Sequence, residues 1–338
     1  MATTPLEKVL PLKMPISILI DPSNKCNFKC SFCPTGDKDL LKSVGREEKI
    51  MDIDSINKIL EDLIIWRNKT GTIPKQIGFY KDGEPLLNKN LFYFISTISK
   101  NNLTEKSFLT TNAALLNESK CIELINSGLN EIRISVEHVH DKGYQEITRT
   151  KTPYYRVKEN VEMLFKLKNK FNSKLHIHSK VVADLLTEDE RSKFKEDFLP
   201  ISDSIALDRI MGWSDSNNHD FSTGKIDHNS KKTRHQICAQ PFSRMSICAN
   251  GDITICCVDW SHQLKYGNIK DVSLMDAWNS GRLNKIRLTH LRGDFSNESV
   301  CKNCDYFKNQ SSDDNIDSIK EKLLDYCNSK DSNKSLFN

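Results

Sequence analysis

Hydrophobic positions along the chain switch repeatedly between two periods. Short apolar or alternating runs at 16–20 (ISILI), 76–80 (QIGFY), 106–112 (KSFLTTN), 131–137 (EIRISVE), 175–183 (LHIHSKVVA) and 203–210 (DSIALDRI) read as strands. Between them, residues 53–66, 90–100, 117–127, 155–170 and 188–198 place apolar side chains at helical spacing, and Gly128 suits the C-cap of the third of these helices. Strands alternating with helices predict a parallel sheet built with right-handed crossovers. Six units are too few for a closed eight-fold barrel, so the expected fold is α/β, a partial (β/α)6 barrel.

The pattern changes after the sixth strand. Residues 214–234 are polar and without period, which reads as a linker. A turn at Asn250-Gly251 then suggests a hairpin, and 272–278 (VSLMDAW) a helix. The expected organisation is a barrel domain at 1–213, a linker at 214–234, a small second domain at 235–310 and a polar tail at 311–338 with a weak helix near 315–327.

Composition narrows the class without deciding it. Of 338 residues, 38% are hydrophobic and 28% charged, ordinary globular values. A net charge of +4 gives no argument for nucleic acid. No apolar run reaches the ~18 residues of a membrane span, and the start lacks the basic and apolar regions of a signal peptide, so a cytoplasmic protein is expected.

The eleven cysteines change the picture. In a cytosolic chain they point to metal or redox chemistry rather than disulfides. Cys26, Cys30 and Cys33 form a C-x3-C-x2-C triplet directly after a strand. Three thiolates on one loop suit three irons of a [4Fe–4S] cube and leave the fourth open for a ligand. A zinc site completed by a distant His, or three buried thiols, are the alternatives. Further on, Cys238 is followed by twelve residues, Gly251, four residues and Cys256, and then by Cys301-Lys-Asn-Cys304. The turn at Gly251 brings Cys238 and Cys256 together, and four cysteines from separated segments make a closed site; a zinc ribbon is the alternative.

The segment CNFKCSFC resembles the signature of the radical S-adenosylmethionine (radical SAM) superfamily, with Phe32 in its aromatic position. Asp82-Gly83-Glu84-Pro85 resembles the family's G-G-E-P segment, with Asp in place of the first Gly, and Thr111-Asn112-Ala113 its T-N-G. The resemblance implies a SAM-binding [4Fe–4S] cluster on Cys26, Cys30 and Cys33. It also implies cofactor contacts from Phe32, Gly83, Glu84, Asn112, Ser135 and Val182, with Glu84 holding the methionyl amine. Reduction of the cluster by a flavodoxin- or ferredoxin-type donor would cleave SAM to a 5′-deoxyadenosyl radical that abstracts hydrogen. Arg149 lies where the family places a cavity-facing Arg, which implies a catalytic role; a solvated surface Arg is the other reading.

The second cysteine group resembles the family's SPASM/twitch auxiliary domains, through ANGDITICCVDW and YGNIKDVSLMDAWNS. No cysteine falls at 305–326, which favours the short twitch form, with one auxiliary [4Fe–4S] cluster on Cys238, Cys256, Cys301 and Cys304. This layout is similar to that of the 2-deoxy-scyllo-inosamine dehydrogenases. By that resemblance the activity is oxidation of a small-molecule alcohol, with the auxiliary cluster as electron acceptor. The substrate would be a sugar, an aminocyclitol or a nucleotide-linked sugar. Peptide modification, epimerisation with Cys248 or Cys257 returning a hydrogen atom, and a non-catalytic iron–sulfur or zinc scaffold are the alternatives. Trp213, His138 and His140 read mainly as structural, Asp215 lies at the barrel mouth, Cys121 reads as a buried small hydrophobe and Cys327 as a free thiol in the tail.

Overall fold

A computed structural model describes residues 4–208, 235–294, 299–302, 304 and 312–332. The expected linker, with Trp213 and Asp215, lies outside them. Six parallel strands, β1 (Ser17–Ile20), β2 (Gln76–Phe79), β3 (Lys106–Thr111), β4 (Glu131–Val136), β5 (His176–Val182) and β6 (Ser204–Asp208), stand side by side in chain order. The helices on this half of the chain are α1 (Lys38–Ser43), α2 (Ile53–Thr70), α3 (Leu91–Lys100), α4 (Glu118–Asn126), α5 (Asp141–Thr148), α6 (Tyr154–Lys170) and α7 (Glu188–Phe198). This is the predicted partial-barrel arrangement, with each strand within two residues of its expected bounds.

Local chemistry explains the helix ends. The Asp52 side chain accepts from the Ser55 amide to start α2, and Gly71, at φ 68°, ends it in the left-handed conformation glycine adopts without penalty. A Thr187–Glu190 capping box starts α7. On α2 the buried residues Ile56, Ile59, Leu60, Leu63 and Trp66 follow the helical period, each such side chain contributing ~1.5–3 kcal/mol of burial. On β5 alternation is complete: Ile177, Ser179 and Val181 are buried, whereas His176, His178, Lys180 and Val182 are half-buried on the opposite face.

Sheet and core run on past the expected boundary at 235. After α8 (Gln240–Ser243), β7 (Arg244–Ile247) pairs in parallel with β1, Ile18 opposite Met245. β8 (Asp252–Thr254) and β9 (Lys265–Asn268) extend the edge antiparallel, giving one nine-stranded sheet. Ile20, Ile77, Met245, Ile255 and Trp278 share one hydrophobic core. The helices α9 (Leu274–Trp278), α10 (Gly281–Arg292), α11 (Ser299–Lys302) and α12 (Lys320–Ser332) complete the described chain. The helix expected near 315–327 is shifted towards the C-terminus. It packs on α10, where the Asn284 side-chain amide donates to the Cys327 carbonyl at 2.8 Å. Leu323 and Cys327 are fully buried in a small core with Leu6 and Leu10, so Cys327 is outside any disulfide, as expected, and is packed in a core. Among the described residues, no helix is long and apolar enough to cross a membrane.

Candidate iron–sulfur and cofactor site

The loop after β1 carries the first three cysteines and is held from both sides. The Lys29 and Ser31 amides donate to the Thr148 and Ile147 carbonyls at 2.9 Å, docking the loop on the end of α5. Phe28 meets Tyr144 edge-on at 6.0 Å between ring centroids. Within the loop, the Cys26 sulfur accepts from the Phe28 amide at 3.4 Å. A side chain on Gly36 would come within 2.8 Å of the Cys30 carbonyl oxygen, so the loop needs glycine there.

Burial pushes the Cys26 thiol up to about 12, and burial together with the nearby thiols and Glu137 pushes Cys30 well up. Burial also raises Cys33. Three soft donors that raise one another's pKa are poor thiolates alone and good ones beside a cationic metal centre, so this donor set fits a cluster that binds through thiolates.

The Asp82–Pro85 turn lies against this loop. A Cβ on Gly83 would sit 2.3–2.4 Å from the Ser23 and Lys25 carbonyl oxygens, so close backbone approach demands glycine. The Glu84 amide donates to the Lys25 carbonyl at 2.8 Å. The Glu84 carboxylate is buried; Oε1 accepts from the Leu86 amide and the Thr111 hydroxyl, and Oε2 from the Asn112 amide at 2.9 Å. Burial raises its pKa, while those three donors oppose the rise. The Asn112 side chain donates to Asn27 at 2.9 Å, tying the end of β3 to the cysteine loop. Ala113 takes φ 59°, the left-handed conformation that the glycine of T-N-G would adopt freely.

The remaining predicted contacts spread along the strand ends. Ser135 is half-buried on β4 opposite Lys180 of β5, and Val182 is half-buried at the end of β5. Phe32 is half-buried in the cysteine loop. Arg149 is exposed, as the left-handed C-cap of α5 at φ 52°. Glu137, not singled out from the sequence as a site residue, is buried just past β4, and burial pushes its carboxyl up to about 7 against the pull of Lys180. The sequence marks Glu137 as the acid that follows Ser135, but its burial comes only from the fold.

The second cysteine group is assembled from distant segments. Cys238 feels both Cys304 and Cys257, and Cys256 feels Cys238. The Cys256 sulfur accepts from the Val258 amide at 3.4 Å, the same two-residue pattern as at Cys26, and the Gln240 amide plays that part for Cys238. Cys301, on α11, lies 3.6 Å from His290 Nε2, an approach the cysteine spacing gave no hint of. The two ambiguous cysteines part company. Cys257 receives the Arg244 guanidinium at 3.3 Å. Cys248 is fully buried among Lys81, Asp82, Asp21 and Asp259. None of the eleven cysteines is in a disulfide.

Residues 20–179 match the radical SAM superfamily, and residues 238–305 match an iron–sulfur cluster-binding domain, SPASM. The chain thus carries a radical SAM domain followed by a SPASM domain. A stretch of the chain is 30% identical over 135 residues to GTP 3',8-cyclase of Clostridium perfringens, a match spanning 38% of this chain and only 37% of that protein. A longer match, 21% identical over 289 residues, covers 85% of this chain and 91% of the S-adenosyl-L-methionine-dependent 2-deoxy-scyllo-inosamine dehydrogenase of Niallia circulans. The structure of BtrN in complex with AdoMet and 2-DOIA matches with a TM-score of 0.53 at 18% identity, covering 90% of this chain and 96% of that one. The two matched domains imply iron–sulfur clusters and SAM as the cofactors.

Proposed function

We propose that the chain is a radical SAM oxidoreductase that dehydrogenates an alcohol carbon of a sugar, an aminocyclitol or a nucleotide-linked sugar. The observation that carries the reading is extent: similarity to a 2-deoxy-scyllo-inosamine dehydrogenase covers 85% of this chain and 91% of that protein.

In this reading Cys26, Cys30 and Cys33 would hold one [4Fe–4S] cluster, and Cys238, Cys256, Cys301 and Cys304 an auxiliary one. When bound, these groups supply one-electron chemistry: reductive cleavage of SAM, abstraction of a substrate hydrogen atom by the resulting 5′-deoxyadenosyl radical, and removal of one further electron. The chain's residues do the rest. Glu84 Oε2 accepts a single hydrogen bond, which leaves room for the SAM ammonium, and a buried carboxylate gains from a cationic partner. Ser135 and Val182 line the strand ends where ribose and adenine would lie. Oxidising an alcohol to a ketone also releases the hydroxyl proton. Glu137, its carboxyl pushed up to about 7, is suited to accept it near neutral pH. Arg149 has the charge to orient a substrate oxygen at the barrel mouth. The short twitch form is supported by Cys327: the only cysteine beyond Cys304, it lies on α12, packed against α10. The chain is organised as a barrel at 1–213 and an auxiliary region at 235–310 that shares its sheet.

The test is to incubate the reduced, reconstituted chain with SAM and panels of sugars, aminocyclitols and peptides. The expected result is accelerated 5′-deoxyadenosine release and a product two mass units lighter from a sugar or aminocyclitol. A product of unchanged mass in ordinary water that gains one deuterium in heavy water would make the enzyme an epimerase, and turnover of peptides alone would replace this reading.

A further inference from the structure

Asp82 takes the first position of the segment that resembles G-G-E-P, and its side chain is 1% exposed. It is the centre of a buried charge cluster. Lys81 Nζ donates to its two oxygens at 3.0 and 2.8 Å, His262 Nε2 lies 2.7 Å from Oδ2, and Arg46 Nη2 lies 3.4 Å away. The two cations reach onward. Lys81 Nζ donates to the Asp259 carbonyl at 3.0 Å, and Arg46 Nη1 to the Trp260 carbonyl at 2.5 Å. The receiving loop closes on itself through the Asp259 carboxylate, which accepts from the Gln263 and Leu264 amides at 3.0 and 2.9 Å. His262 holds φ 58°, a conformation costly for a side-chain-bearing residue, as it meets Asp82. This loop begins just beyond Cys256. The turn carrying Glu84 is therefore gripped on one side by the Ser23 and Lys25 backbone, through Gly83, and on the other by the 259–264 loop.

We propose that Asp82 is a positioning residue that locks the Glu84 turn to the 259–264 loop, fixing the SAM amine site against the auxiliary cysteine region. The proposal rests on the reading that Glu84 receives the SAM amine. A glycine there leaves Lys81 and Arg46 without this buried anion and the turn without its tie to the C-terminal region. Asp82, Cys248 and His262 also place three donor atoms within 4.8 Å of one another, close enough for a single metal ion. Lys81 and Arg46 already neutralise Asp82 and would repel a dication, which favours the ion-pair lock.

The experiment compares the reconstituted full chain with Asp82→Asn, His262→Gln and the double variant. Iron and zinc per chain are measured, and SAM is titrated by the change it causes in the electron paramagnetic resonance spectrum of the reduced cluster. All three variants are expected to keep the iron content of the unaltered chain. Asp82→Asn weakens SAM binding about tenfold, or about 1.4 kcal/mol, and alters the spectrum of the SAM-bound form. His262→Gln, which removes a single contact, weakens binding about threefold even if Asp82→Asn does not fold. The double variant is no worse than Asp82→Asn, because both act on one network. Unchanged SAM binding in either single variant overturns the proposal, as does one equivalent of zinc in the unaltered chain that Asp82→Asn releases. If the unaltered chain itself binds no SAM, it is the functional reading that fails.

Discussion

The two cysteine regions reach similar donor sets by opposite routes. Cys26, Cys30 and Cys33 lie on one eight-residue stretch, fixed by its own turns and by docking onto α5. The auxiliary cysteines come from the segment before α8, the stretch after β8, and α11 and its exit, and Cys238 is brought near Cys256 and Cys304 as β7 joins β1 and the chain turns back through β8. A local site carries its geometry in its own sequence. A dispersed one inherits geometry from the sheet, and should be the more sensitive to damage elsewhere.

The largest effect expected from breaking this contrast is at the local site. Replacing Cys26, Cys30 and Cys33 together by Ala should remove about half the iron, one cube of two, and all SAM cleavage, as read by iron assay and 5′-deoxyadenosine formation. Full iron retention would mean that the loop holds no cluster. Next is the dispersed site. Cys304→Ala should abolish product while 5′-deoxyadenosine still forms, since electron removal fails but hydrogen abstraction does not. Loss of both activities would show that the auxiliary region also supports the first site.

A smaller effect sharpens the link between the cysteine loop and the strand ends. Glu84→Gln keeps the shape of the side chain but removes its charge. It should weaken SAM at least tenfold, and it should lower stability by about 1–3 kcal/mol because the Asn112 and Leu86 amides lose a charged acceptor. Calorimetric titration and thermal unfolding separate the two.

The smallest expected effect lies at the seam between the regions. Asp21, directly after β1, is fully buried, and among the described residues neither carboxylate oxygen has a hydrogen-bond partner. Burial, reinforced by Asp82, pushes it up to about 7. The folded state therefore holds a proton that the unfolded chain releases near pH 4, so stability is full below that pH and falls as pH rises through about 7. Asp21→Asn should remove part of the stability loss between pH 5 and 8, of order 2 kcal/mol, measured by denaturant unfolding at both pH values. An unchanged pH dependence would mean that Asp21 is ionised in the fold.

The sequence by itself determined what is local. The alternation of periods located six strands to within two residues, because side-chain burial in a parallel sheet repeats over a few positions. The triplet from Cys26 to Cys33 and the Gly83-Glu84-Pro85 turn were legible because their geometry closes within a few residues, with Gly83 forced by backbone contact. Only the tertiary structure decided what depends on distant segments meeting. The parallel pairing of β7 with β1 merges the expected second domain into the barrel's sheet, and no local pattern encodes which strand edge it joins. The same pairing sends Cys248 to the Asp82 cluster and Cys257 to Arg244, though the two are nine residues apart in one hairpin. Burial in the closed fold raises Glu137 and Asp21, and the fold sets His262 against Asp82 across 180 positions of chain. Desolvation and charge pairing are properties of the surroundings in space, and these surroundings exist only once the sheet has closed over them.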